Sequence, residues 1–350
     1  MVDPLPPSAL AAWSWPGPVQ VVPVHDGLIN PTWLVHGAQG PVGVLQELNT
    51  RIFQPTVHED IEAVTAHLAA KGLPTPRLVR TRAGGLWHED DGRVLRVLTH
   101  VGDRTLHRVA HLDEAREAGA LVGRFHRAVD DLDWTYRHVR PGPHDTARHA
   151  RLLDEALAAH PTHRHHDAVA RLADELRAGW AGLQAELPPL PLRHIHGDLK
   201  VSNLRFLGPR AHALIDLDTL ARDTLGSELG DALRSWCGTA GEDVAEARFD
   251  LDVLEAALAG YAAEVGDTLP DGAWGALVPS VQRIATELAM RFAADALHET
   301  YFGWDPTRFA TRGDHDLVRA QGQASLARAI AGARGEAEAR LRRIRPTAGA

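Results

Sequence analysis

Cysteine and lysine are the scarcest reactive residues in this chain. Among its 350 residues only Cys237 is a cysteine, so no disulfide can form within the chain. That fits a reducing compartment, and nothing beside Cys237 marks it as a nucleophile. Of 37 basic residues only Lys71 and Lys200 are lysines; the rest are arginines. The first fifty residues contain no Lys or Arg and so lack the charged start of a secretory signal. No apolar run approaches the roughly 20 residues of a membrane span. A cytoplasmic location is expected. The formal net charge of −9 removes the basic surface that non-specific nucleic-acid binding requires. What the chain does have, with 44% hydrophobic residues, is enough apolar material for one large domain or two lobes sharing a core.

Its texture changes along its length. From Val19 to Arg96 it is β-rich. "VQVVPVHDGLINPTWLV" reads as two strands joined by a turn at Asp26-Gly27, and "PVGVLQELN" as a third. "TVHEDIEAVTAHLAAKG" is helical, with Ile61, Val64 and Leu68 at helical spacing and Gly72 where a helix would end. "LWHEDDGRVLRVLTHV" reads as a hairpin turning at Asp91-Gly92. Beyond about Gly102 long Ala/Leu/Arg-rich amphipathic segments take over. The boundaries expected are a β-rich lobe over 1–98, a connector over 99–103, and a helical lobe over 104–350.

One irregular stretch interrupts the helical part. "HIHGDLKVSNLRF" is followed seven residues later by "ALIDLDTL". Two readings compete for these polar residues. One is a solvated hairpin. The other is a site for phosphoryl transfer, which needs an oriented acceptor, a hard cation against the phosphates and positive charge. Asp198 would orient the acceptor hydroxyl and take its proton. Lys200 would reach the γ-phosphate of ATP. Asn203 and Asp216 would offer the oxygen ligands that Mg²⁺ prefers. The ordered set within 194–206 and 213–220 favours the site. His196 fits a structural role, bonded to backbone.

These residues, "HGDLKVSN" then "IDLD", resemble the motifs of the aminoglycoside phosphotransferase and choline kinase superfamily. "GLINPTWLV", "VLQELNTRIFQ", "IEAVTAHL", "GSELGDALR" and "MRFAADALHETYF" resemble the N-acetylhexosamine 1-kinase group within it. The resemblance runs from about residue 25 to 330. It implies an α+β, bilobal, protein-kinase-like fold with a small β-rich N-lobe and a large helical C-lobe. It implies ATP and Mg²⁺ as cofactors and a sugar as acceptor, phosphorylated most plausibly at the anomeric hydroxyl of a hexosamine. An aminoglycoside, choline-like or homoserine-like alcohol is the alternative, and a nucleotide-binding pseudokinase the third. A monomer or homodimer is expected, with no nucleic-acid or membrane partner.

The same resemblance carries roles to further positions. Asp198 stands as catalytic base, with Asn203 and Asp216 as metal ligands. Asp218 would be an acid behind them. Asn30 stands in the nucleotide-covering turn "HDGLIN". Adenine would meet the connector backbone between Thr99 and Val101. Gln46 occupies the third-strand place where such kinases usually carry a phosphate-gripping Lys paired to a helix acid, for which Glu62 is the candidate. Asp231 would support the catalytic loop from below. Arg234 would border the acceptor pocket, or simply pair with Asp231 three residues earlier. Arg291, inside an apolar helix, needs an anion or a polar cavity. The resemblance puts it in the acceptor pocket, while Glu287 is the simpler partner. "HPTHRHHD" invites a metal hypothesis, but without Cys or a His–Glu helical signature it reads as a solvated loop.

Overall fold

The computed structural model describes residues 5, 7–24, 29–140, 142–238, 241 and 243–345. The expected turn at Asp26-Gly27 lies outside the described residues. A short helix α1 (Pro7–Ala11) precedes strands β1 (Gln20–Val24), β2 (Thr32–Gly37) and β3 (Gly40–Glu47), helix α2 (Val57–Ala70), and strands β4 (His88–Asp90) and β5 (Arg93–Leu98). These strands form an antiparallel sheet in the order β1-β2-β3-β5-β4. The β4–β5 turn is Asp91-Gly92, with φ of 49° and 77°. Positive φ at both central residues gives the turn twist that suits a two-residue hairpin.

Strand alternation divides the sheet's side chains. Trp33, Val35, Leu45, Leu95 and Val97 form one buried cluster with Trp13 and Ala9. Leu48 and Val94 join Val57, Ile61, Val64 and Leu68 of α2 in the main core, so the helical stripe read from the sequence is the buried one. Burying each such side chain contributes about 1.5–3 kcal/mol.

After the connector come β6 (Arg104–Thr105), α3 (Leu112–Val129), α4 (Thr146–Ala159), α5 (His166–Glu186) and β7 (Leu192–Ile195). Then β8 (Leu204–Leu207), β9 (Arg210–Leu214) and β10 (Ala221–Thr224) lead to α6 (Leu225–Cys237), α7 (Leu251–Val265), α8 (Asp271–His298) and α9 (Arg312–Ile344). β10 pairs with β7, and β6 with β8 and β9, so two small sheets frame the irregular stretch. A mixed fold with a β-sheet N-terminal region and a helical C-terminal region follows. Among the described residues no helix is long and apolar enough to cross a membrane. Cys237 is buried in α6, and burial pushes its thiol pKa up.

The histidine run closes the α4–α5 loop against two other helices. His163 reaches Glu299, His165 reaches Asp314, and His160 lies 3.0 Å from His298. It is therefore a tethered loop rather than the freely solvated one expected. Among the described residues no three His, Cys, Asp or Glu side chains form a group that could hold a metal.

Candidate active site

The backbone of the irregular stretch is held from below by α6. Glu228 is 1% exposed, and its carboxylate accepts the N–H groups of His196 (2.8 Å) and Gly197 (2.9 Å) and lies 3.2 Å from His126 Nε2. Burial raises the pKa of such an acid, yet the bond from His126 and the charges around it hold it below the ordinary carboxylate range. Trp236 donates to the Leu199 carbonyl, and Val201 N–H donates to Ser235. The support expected of Asp231 is thus supplied by Glu228, one turn earlier. Asp231 instead accepts from Arg234 at 3.0 Å.

His196 is fully buried. Its Nε2 meets the Ile215 carbonyl at 2.9 Å, and its Nδ1 accepts the Asp198 N–H. This ties the loop to the segment that follows β9 and agrees with a structural histidine. Gly197 has φ +82°, and a Cβ there would lie 2.5 Å from the Thr219 carbonyl oxygen, so only glycine fits.

Four polar side chains converge above this support. Lys200 Nζ is 3.0 Å from Asp198 and 4.0 Å from Asp216. Asn203 Nδ2 donates to the Asp198 carbonyl and carboxylate at 2.8 and 3.0 Å. Its Oδ1 has no donor among the described residues. Asp216 sits in the left-handed region at φ 63°, a strained conformation for a residue with a side chain. Burial, then Asp218 and Asp198, pushes its pKa up to about 6. Burial also opposes ionisation of Asp198, but Lys200 and Asn203 outweigh it and hold that carboxyl below the usual range. Lys200 is shifted upward: burial works against its charge, and Asp198 and Asp216 more than offset it. The result is one carboxylate bonded to Lys200 at 3.0 Å, a second at 4.0 Å from the same cation, and an amide oxygen with no donor among the described residues. Hard oxygen donors in that state suit a divalent cation, which keeps most of its remaining ligands as water and phosphate oxygen.

Asp218 joins the two regions of the fold. It is 1% exposed, receives Arg96 through both guanidinium Nη atoms, and accepts from Asn30 Nδ2 at 2.7 Å. Arg96, also 1% exposed, stands opposite Gln46 in the β3–β5 register and donates to its Oε1 at 2.9 and 3.0 Å. Gln46 Nε2 donates to Thr32. The Gln46 amide is thereby committed at both ends. Sequence reasoning missed Arg96; the signal was an arginine in the middle of the strand "RVLRVL", flanked on both sides by Val-Leu.

Other expected residues fall elsewhere. Glu62 pairs with Arg80 (3.1 Å) and Arg77 (3.5 Å) rather than with the third strand, because neutral Gln46 offers it no charge. Arg234 is 6% exposed and bonded to Asp231 and Gln323. Arg291 lies over the Phe302 ring at 5.7 Å. Glu287 is held by His144, Thr146 and Arg283, so it is not the partner of Arg291. In the connector, Thr99 N–H donates to the Arg77 carbonyl and the Val101 carbonyl accepts from Arg205. The Thr99 carbonyl and Val101 N–H have no partner among the described residues. Asn30 Oδ1 accepts the Asn49 N–H, which fixes the start of the strand after the turn. The structure thus brings Asp198, Lys200, Asn203 and Asp216 together, links Asn30 and Gln46 to them through Asp218 and Arg96, and leaves Glu62 and Arg291 with other partners.

Comparison with known proteins fits this geometry. The model of the phosphotransferase enzyme family matches residues 20–263, more than half of the chain. The chain belongs to the phosphotransferase enzyme family. A homoserine kinase from Chelativorans sp. (strain BNC1) is 28% identical over 241 residues, 69% of this chain and 70% of that protein. The microcompartment-associated aminopropanol kinase shares the fold at a TM-score of 0.63 and 18% identity, over 95% of this chain and 98% of that one. Amicoumacin kinase hAmiN, solved with AMP-PNP, Ca²⁺ and Ami, shares it at 0.63 and 16% identity, over 91% of each chain. This relative is a homoserine kinase: the resemblance is shown at the level of the phosphotransferase family, and its finer likeness to the N-acetylhexosamine kinases is not shown.

Proposed function

We propose that this phosphotransferase moves the γ-phosphate of ATP to the hydroxyl of a small amine-bearing acceptor, of the homoserine or amino-alcohol kind. The observation that carries the reading is the Asp198–Lys200–Asn203–Asp216 cluster, with its ionised Asp198 anchored by Lys200 at 3.0 Å. The acceptor class draws its support from the names of the relatives, homoserine kinase and aminopropanol kinase. The sugar first expected has no such support.

In this reading the acceptor oxygen attacks the γ-phosphorus, the bond to the β–γ bridging oxygen breaks, and ADP leaves. Asp198 orients the hydroxyl and takes its proton as the new bond forms. Lys200 offsets charge on the transferred group. Asn203 Oδ1 and Asp216 would hold Mg²⁺, which would neutralise phosphate charge when bound. The Thr99 carbonyl and Val101 N–H meet the adenine edge. Arg96 and Gln46 do not grip phosphate in this reading; they position Asp218 and, through it, the Asp216 turn. Such chemistry belongs where ATP is abundant, consistent with a cytoplasmic location.

The test is ADP release with Mg·ATP against L-homoserine, 3-amino-1-propanol, choline, kanamycin, GlcNAc and GalNAc, for the wild type and Asp198→Asn. Turnover on an amine-bearing alcohol, reduced about 10²–10⁴-fold in the variant, is expected. Turnover on GlcNAc alone would restore the sugar reading. Turnover that Asp198→Asn leaves intact would remove Asp198 from the reaction.

A further inference from the structure

A cavity of about 590 Å³ adjoins the cluster without containing it. Gly197 and Thr219 form one boundary, and the loop joining α3 to α4 forms the other. Gly197 directly precedes Asp198, and successive Cα atoms lie about 3.8 Å apart, so one end of the cavity is next to the reacting position.

The loop wall is built to keep its shape. Asp60 of α2, 1% exposed, accepts Trp134 Nε1 (2.9 Å), Arg137 N–H (2.8 Å) and His138 N–H (2.8 Å). A buried acid bearing three donors fixes His138 and presents Arg140 two residues on. Both of these side chains line the cavity. His138 is 7% exposed, and its Nδ1 accepts the Gln54 N–H. That leaves the ring proton on Nε2, which has no partner. Arg140 rests over the Phe53 ring at 5.8 Å and pairs with no carboxylate among the described residues. The cavity's own acids are engaged elsewhere. Asp218 is taken by Arg96 and Asn30, and Asp223 accepts from Thr224 N–H and Ser227. Arg222, also at the wall, donates to the Leu192 carbonyl. The cavity wall thus carries the Arg140 guanidinium, without a carboxylate partner among the described residues, and His138 beside it, with apolar walls from Trp134, Val139 and Leu220. That is the chemistry of a small organic anion.

We propose that this cavity is the acceptor chamber, and that the Arg140 guanidinium receives a carboxylate of the acceptor. The preferred substrates are therefore hydroxyl-bearing amino acids rather than amino alcohols or sugars lacking a carboxylate. This rests on the phosphotransferase reading above and narrows it.

The test compares L-homoserine with 3-amino-1-propanol, the same chain without the carboxylate, in wild type, Arg140→Met and Arg140→Lys. A charge-assisted bond predicts a wild-type kcat/KM for L-homoserine at least about tenfold above that for 3-amino-1-propanol. Arg140→Met should raise the KM for L-homoserine about tenfold or more, collapse the ratio between the two substrates, and leave the KM for ATP and the Tm in place. Arg140→Lys should recover part of the loss. Equal use of both substrates by the wild type, or an Arg140→Met enzyme with unchanged KM for L-homoserine, overturns the carboxylate site while the kinase reading stands. Calorimetric titration with L-homoserine separates the two readings if neither compound is turned over. Binding lost in Arg140→Met keeps the anion site and removes the kinase reading. No binding to the wild type overturns both.

Discussion

Removing the guanidinium of Arg96 tests how the two regions of the fold are joined. Asp218 is buried and depends on Arg96 for its counter-charge; Asn30 supplies one further donor at 2.7 Å. Arg96→Met keeps an apolar stem of similar length and leaves Asp218 buried with no cation. Breaking one side of a buried pair costs about 3–5 kcal/mol. Against a total stability of about 5–15 kcal/mol, that is a loss of about a fifth or more. Replacing both partners removes the uncompensated charge, so Arg96→Met/Asp218→Asn should be more stable than Arg96→Met alone. Urea unfolding of the two single variants and the double variant gives the coupling free energy directly. The kinetic expectation differs from the stability one. The double variant should recover stability but not kcat, because Asp218 no longer anchors the turn that carries Asp216. Additive single effects below about 1 kcal/mol would refute the clamp. Full activity in the double variant would refute its link to Asp216.

Three further outcomes follow from the same geometry. Gly197→Ala places a Cβ 2.5 Å from the Thr219 carbonyl at φ +82°, so it should abolish turnover and lower Tm by several degrees, which differential scanning calorimetry reads. The two backbone donors bond to different carboxylate oxygens, so Glu228→Gln turns an amide NH₂ toward one of them. It should cost about 1–3 kcal/mol in urea unfolding and lower kcat more than the KM for ATP changes. Asp316 is buried in α9, and burial, then the neighbouring Asp295, pushes its pKa up to about 8. The native state then holds a proton that the unfolded state releases near pH 4, so this group's contribution to stability falls as pH rises from about 4 to 8. Asp316→Asn should flatten that fall and raise Tm at pH 8 relative to wild type; an unchanged pH profile would contradict the assignment.

Much of the β-rich region could be read from local signals. The Asp91-Gly92 turn and the Ile61, Val64, Leu68 stripe are short-range features, and each reappears where expected. The catalytic-loop cluster was legible because its members lie within a few residues of one another or one strand-turn apart. Long-range pairings were not. Arg96 and Asp218 are 122 positions apart, and no sequence rule for third-strand lysines points to a neighbouring strand. Glu228 was overlooked in favour of Asp231 because both lie on one helix, and only the backbone donors of His196 and Gly197 distinguish them. The proposed acceptor chamber was the least legible feature, since part of the cavity wall comes from the α3–α4 loop, which carries no motif.

The most direct test of the central claim is ³¹P NMR of the protein with Mg·ATP and L-homoserine, with Asp198→Asn alongside. The account predicts loss of the γ-phosphate resonance and growth of a phosphomonoester signal split by the neighbouring CH₂ protons, all but absent in the variant. Growth of the same ester in Asp198→Asn at the wild-type rate, or release of inorganic phosphate with no ester, would contradict it.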